Sequence, residues 1–159
     1  MTYEQMLIQA DKERLIVKEK DIPGYGGRIR GNRIAINRDL RTQAEKSCVL
    51  AEELGHYYTS SGDILNQETV KNRKQELRAR LWAYDQKIGL IGLIEAYKYG
   101  CKNRFEAAEY LDVTEEFLQE AVDCYREKYE ISVQIDNYVI IFEPSLIIMR
   151  KISFLDDSL

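Results

Sequence analysis

The chain has 159 residues, 45% of them hydrophobic and 31% charged, with a formal net charge of -4. That length buries a core without disulfide support, and the mild acidity excludes a protein whose whole surface holds nucleic acid or anionic lipid. Three widely spaced cysteines, Cys48, Cys101 and Cys124, form no Cys-x-x-Cys pair, which excludes a cysteine-only zinc site or redox pair and makes a reducing cytosol the simplest home. The opening stretch MTYEQMLIQADKERL lacks an apolar signal core. The longest apolar runs, near 88–94 and 138–142, are too short to span a bilayer. A cytoplasmic location with no membrane partner is the expectation.

In chain order, residues 3–12 have helical spacing, with Met6, Leu7 and Ala10 on one side. Residues 15–18 read as a strand. Ile22-Pro23-Gly24-Tyr25-Gly26-Gly27 is turn chemistry. Residues 28–37 read as two short strands around Gly31-Asn32, with Ile29, Ile34 and Ile36 facing one side. A long helix is predicted over Thr42–Tyr58, ended by 59–63, and a second over Glu68–Gly89 whose stretch 71–80 carries five basic residues and one acid. A third spans Leu90–Tyr99. Helices over Phe105–Tyr110 and Glu115–Tyr129 follow, joined by a link that offers Thr114 as an N-cap. The tail 131–152 suggests a terminal hairpin, two strands with breaks near Asp136-Asn137 and Pro144. The reading is an α+β, mostly helical chain. It divides into residues 1–100 and a helical extension with terminal strands over 101–159, packed as one body.

The single histidine, His56, follows Glu52 by four residues and Glu53 by three. Helix positions four apart stand nearly above one another, so Glu52 and His56 can reach one metal ion from the same face. Glu53 is rotated about 100° from Glu52, and so misses the ion and reaches water on it. The spacing is that of the His-Glu-x-x-His helix, with a carboxylate in place of the first histidine. A catalytic zinc needs a third protein ligand. Glu76, on the next helix, is the best candidate. Asp63 is the runner-up, though its place after a Ser-Ser-Gly turn suits a local cap. Cys48, one turn before Glu52, is an alternative ligand or a small buried residue.

Residues 48–58, CVLAEELGHYY, resemble the Leu-Ala-His-Glu-Leu-Gly-His core of the ImmA/IrrE family of metallo-endopeptidases, and Glu76-x-x-Ala79-x-x-Trp82-Ala83 resembles that family's Glu-x-x-Ala-Asn-x-Phe-Ala motif. The sheet ending in Arg33-Ile34-Ala35-Ile36-Asn37 also fits. The similarity is good over residues 1–95 and looser beyond. It implies a zincin-like fold, a small sheet packed on the metal-binding helices. It also implies zinc (Zn2+) and cleavage of a helix-turn-helix repressor encoded on a prophage or integrative element. By this match Glu53 takes the general-base position, His56 the second metal ligand and Glu76 the third, while Glu52 stands where the first ligand histidine would be. Arg80 and Trp82 replace the usual Asn and Phe, and the usual following proline is missing. Two carboxylates and one imidazole neutralise a divalent ion, which lowers the pKa of its water less and favours manganese (Mn2+) or iron more than a nitrogen-rich site does.

Two other features bear on partners. Arg28, Arg30, Arg33, Arg38 and Arg41 can line a substrate groove beside an edge strand, which holds peptides by strand addition. Residues 104–125 resemble a helix-turn-helix, yet Arg104–Glu130 holds three basic and nine acidic residues, a surface that phosphates repel. No direct nucleic-acid contact is expected. Three functions stand in order: a repressor-cleaving metallopeptidase, an inactive repressor-binding protein of the same fold, and a DNA-binding regulator.

Overall fold

Helix α1, Tyr3–Lys12, begins at a capping box in which the Thr2 hydroxyl accepts from Gln5 N while the Gln5 side chain accepts from Thr2 N. It buries Tyr3, Met6 and Ala10. The computed structural model describes residues 1–60 and 73–152. Asp63 and the predicted start of the second long helix at Glu68 lie outside the described residues.

Three strands follow: β1 (Ile16–Lys20), β2 (Gly27–Arg30) and β3 (Arg33–Asn37). They form a sheet in the order β1-β3-β2, with β3 parallel to β1 and antiparallel to β2. Gly31, at φ +59, makes the tight turn between β2 and β3 that a residue with a Cβ resists. Side chains alternate across a strand. Ile34 and Ile36 are buried, 2% and 0% exposed, and Ile29 pairs with Ile34, so this face of the sheet closes on the core.

Helix α2, Gln43–Thr59, opens with a second capping box, Thr42 with Glu45. It buries Ser47, Cys48, Leu50, Ala51, Glu53, Leu54 and Gly55 against the sheet and the next helix, α3, Arg73–Lys87. Helix α4, Gly89–Tyr99, is set off from α3 by Gly89 at φ +62. Helices α5, Arg104–Leu111, and α6, Glu115–Tyr129, meet at Asp112, Val113 and Thr114, where the Thr114 hydroxyl caps α6 by accepting from Phe117 N. Phe117, Leu118, Ala121, Val122 and Tyr125 turn inward from α6, and one buried cluster runs from Tyr3 to Phe142.

The tail holds three strands where a hairpin was expected: β4 (Ser132–Ile135), β5 (Tyr138–Ile141) and β6 (Ile147–Arg150), paired antiparallel in sequence order. Pro144 breaks the chain between β5 and β6 without ending the sheet, because the Ile147–Arg150 run pairs back onto β5. The order of elements is α+β, with the small mixed sheet against α2.

Beneath the core lies a buried cation. Lys87 Nζ donates to Ser47 Oγ at 2.7 Å and to the Met1 carbonyl at 2.6 Å, and stands 3.9 Å from Asp112 Oδ2. Burial lowers its pKa from the ordinary 10.5, while Cys48 and Asp112 oppose the shift. A lysine whose folded-state pKa is depressed binds fewer protons than in the unfolded chain, so its cost is full below the folded pKa and vanishes by 10.5. Lys87→Met carries no such cost. The stability of the wild type relative to Lys87→Met should therefore rise with pH across that window, as read by urea denaturation at a series of pH values. A difference that stays flat would mean that Lys87 is not paying for its burial.

Candidate metal centre

The close approach of α2 and α3 rests on Gly55. A Cβ at that position would land on the Ala79 carbonyl oxygen and within 2.9 Å of its carbonyl carbon. Only glycine lets the two backbones come this near. The contact brings His56, next along α2, beside Glu76, one turn before Ala79 on α3.

His56 Nε2 and Glu76 Oε2 are 3.5 Å apart, with side chains 18% and 32% exposed. That separation is long for a hydrogen bond. Glu76 Oε2 is shut off from solvent and accepts no hydrogen bond from the described residues, while Glu76 Oε1 takes Arg80 Nε at 3.2 Å. A buried carboxylate oxygen without a donor is costly. Two donors each about 2.1 Å from a tetrahedral ion stand about 3.4 Å apart. The orphaned oxygen and the imidazole nitrogen beside it thus fit a divalent cation between them.

Glu52 lies one turn before His56 on α2. Burial pushes its carboxyl up to about 7, opposed by Arg80 and reinforced by Glu120, Glu76 and Glu116. It belongs to a polar layer between α2, α3 and α6 in which Tyr84 donates to Glu120 Oε2 at 3.1 Å, and Arg80 is the neighbouring cation. No three His, Cys, Asp or Glu side chains among the described residues are grouped as a complete metal site. His56 and Glu76 come together, and Glu52 stands within electrostatic reach of Glu76. Cys48 is a buried free thiol that desolvation raises to about 11, and it packs in the hydrophobic core.

Glu53 is 9% exposed and turns toward the sheet. A Cβ at Gly27 would stand 3.1 Å from Glu53 Oε1 and 2.5 Å from Val49 Cγ1. The carboxylate therefore sits directly beneath the backbone of β2, an edge strand. Asn37 N donates to Gly26 O. Hydrogen-bonded pairs alternate along an antiparallel ladder, so Gly26, Arg28 and Arg30 turn their main-chain groups to β3, and Gly27 and Ile29 turn theirs to the edge that no described strand covers. A free edge over a buried glutamate beside a histidine-carboxylate pair is a place where a peptide can lie over an acid-base group.

The expected groove of arginines takes another form. Ile29 faces α2, so Arg28, Arg30 and Arg33 project from the opposite face of the sheet. Sequence reasoning missed Gly27 and the acidic α6 residues around Glu52. The Gly26-Gly27 pair was a signal for the first, because a glycine entering a strand marks close approach of another group.

An α+β frame, a Glu-x-x-His helix and a carboxylate brought to the imidazole from the next helix define a metallopeptidase-like protein. The Peptidase_M78 family model, described as the IrrE N-terminal-like domain, matches residues 13–123, and the chain belongs to that family. The family indicates a metallopeptidase, which implies a divalent metal, typically zinc, and a protein substrate. No curated protein and no solved structure matches the chain. Among the described residues no helix is long and apolar enough to cross a membrane.

Proposed function

We propose that the chain is a metal-dependent endopeptidase that cleaves a helix-turn-helix repressor of a prophage or mobile element. One juxtaposition carries the reading. The solvent-shielded, donorless Glu76 Oε2 stands 3.5 Å from His56 Nε2, one helical turn from a glutamate lying under an edge strand. In this reading His56 and Glu76 hold the ion, with Glu52 as the third donor. When bound, the ion supplies Lewis acidity toward a peptide carbonyl and makes water a stronger acid. Glu52, whose carboxyl burial pushes up to about 7, gives up its proton beside a cation. A donor set of two carboxylates and one imidazole suits zinc and also harder ions such as manganese.

The remaining work falls to the chain. Gly27 and Ile29 of β2 pair with the substrate's main chain, and the missing Cβ at Gly27 lets that backbone pass over Glu53. Glu53 takes a proton from the attacking water and returns it to the leaving amine. Arg80 holds Glu76 at 3.2 Å and keeps its second oxygen turned toward His56. The helix-turn-helix-like pair α5 and α6 serves as a packing and protein-recognition surface, in keeping with the nine acids from Arg104 to Glu130.

A second reading has its own observation. Glu52 stands where the resembled family has a ligand histidine, and a centre of two carboxylates and one imidazole acidifies its water less, which suits a fold that binds the repressor without cutting it. Exchange of Glu53 for Gln in the metal-loaded protein separates the two. Cleavage of a purified repressor should stop while its binding persists. Full relief of repression by the Gln protein would instead favour the binding reading.

A further inference from the structure

The outer face of the β1-β3-β2 sheet is basic. Register puts Ile16, Arg33 and Arg30 in one row and Lys18, Ala35 and Arg28 in the next, with Lys20 beyond. The small Ala35 floors a trough of about 410 Å³, walled by Lys18 and Lys20 on one side and by Arg28 and Arg30 on the other. All five cations, Arg33 included, are exposed, and none forms an ion pair with a described residue. Arg28 lies 5.5 Å from the centre of the Tyr25 ring, which holds it at the lip of the sheet. In a chain of net charge -4, this concentration of one sign calls for an anionic partner.

The free edge of β2 decides which partner. Gly27 and Ile29 offer both N–H donors and carbonyl acceptors there, which an extended peptide meets in register, whereas a phosphate backbone brings acceptors alone. Residues directly opposite one another in paired strands share a face. A segment added to β2 therefore places the side chains opposite Gly27 and Ile29 over α2 and Glu53. It places those opposite Arg28 and Arg30 on the basic face.

We propose that this face selects the substrate: the segment bound along β2 carries Asp or Glu at alternate positions, opposite Arg28 and Arg30, with Lys18, Lys20 and Arg33 adding to the attraction. The inference rests on the peptidase reading for its geometry, but its test is binding.

The probes are two labelled ten-residue peptides, one with Glu and one with Lys at every second position, titrated by fluorescence anisotropy into the zinc-supplemented Glu53→Gln protein. The Glu peptide should bind about tenfold more tightly, from two favourable cross-strand charge pairs set against two repulsive ones. The preference should shrink in high salt. It should fall to the small remainder that Lys18, Lys20 and Arg33 supply in Arg28→Gln/Arg30→Gln and reverse in Arg28→Glu/Arg30→Glu, with circular dichroism unchanged. Equal binding of the two peptides, or a preference that survives both double variants, overturns the proposal. So does tight binding of a single-stranded oligonucleotide with none of the Glu peptide, which would make the face a nucleic-acid surface. The outcome is separable from the fate of the peptidase reading. Charge preference without hydrolysis by the wild type supports this inference alone, and hydrolysis without charge preference overturns this inference alone.

Discussion

Gly55→Ala should melt well below the wild type and lose the metal. The added methyl meets the main-chain carbonyl of Ala79, which cannot rotate away as a side chain can. Overpacking a core costs about 1–3 kcal/mol, and more when the obstacle is rigid. For a chain of this size about 3 kcal/mol corresponds to a fall of roughly 6–12 °C in melting temperature. The damage is also functional, because α3 must back away from α2 and carry Glu76 off from His56. Gly92→Ala in α4 is the control. Its Cβ would meet Leu111 Cδ2 at 3.3 Å and Ile88 Cγ2 at 3.6 Å, both movable side-chain atoms. The gain in helix propensity, about 1 kcal/mol, offsets that crowding. Thermal melts of both variants decide the matter. Equal melting temperatures for the two would mean that the glycine contact is not what fixes the distance between the helices.

The second large effect is on rate. Glu53→Gln should lower kcat by a factor of about 10²–10⁴, the usual contribution of a positioned general base, while KM moves little. The amide keeps the shape of the carboxylate, which lies with Val49 against Gly27, so packing is retained, but it cannot accept a proton. Glu53 is not among the proposed ligands, and the metal content of the Gln protein should match the wild type. A variant that cuts at an unchanged rate would remove Glu53 from the mechanism. A variant that loses its metal as well would make Glu53 a ligand in place of Glu52.

Much of this was legible in the sequence. Helical spacing announces α2 from Thr42 onward, and Gly31-Asn32 between alternating isoleucines announces the β2-β3 turn, because periodicity and turns are local chemistry. The spacing of Glu52, Glu53 and His56 separates the faces of one helix. Pairing across helices was less accessible. That Glu76 reaches His56 depends on Gly55 meeting Ala79, a contact between segments that no local pattern encodes. The surroundings of Glu52 are set by Glu116 and Glu120 of α6, more than sixty residues away in the chain. The arginines could have been placed from sequence. Once Ile29, Ile34 and Ile36 face the core, period-two alternation sends Arg28, Arg30 and Arg33 to the other side, beside the edge strand but away from Glu53. The third tail strand was hidden because Pro144 reads as a terminator, whereas the chain resumes pairing after it.

The central claim is that His56 and Glu76 hold a divalent ion. The measurement is the metal content of the purified protein after zinc or manganese is added and the excess removed, beside His56→Ala and Glu76→Ala. The account predicts about one equivalent in the wild type, lost in both variants, with a melting temperature that rises on metal addition in the wild type alone. A wild type that stays metal-free, or variants that keep their metal, would contradict it.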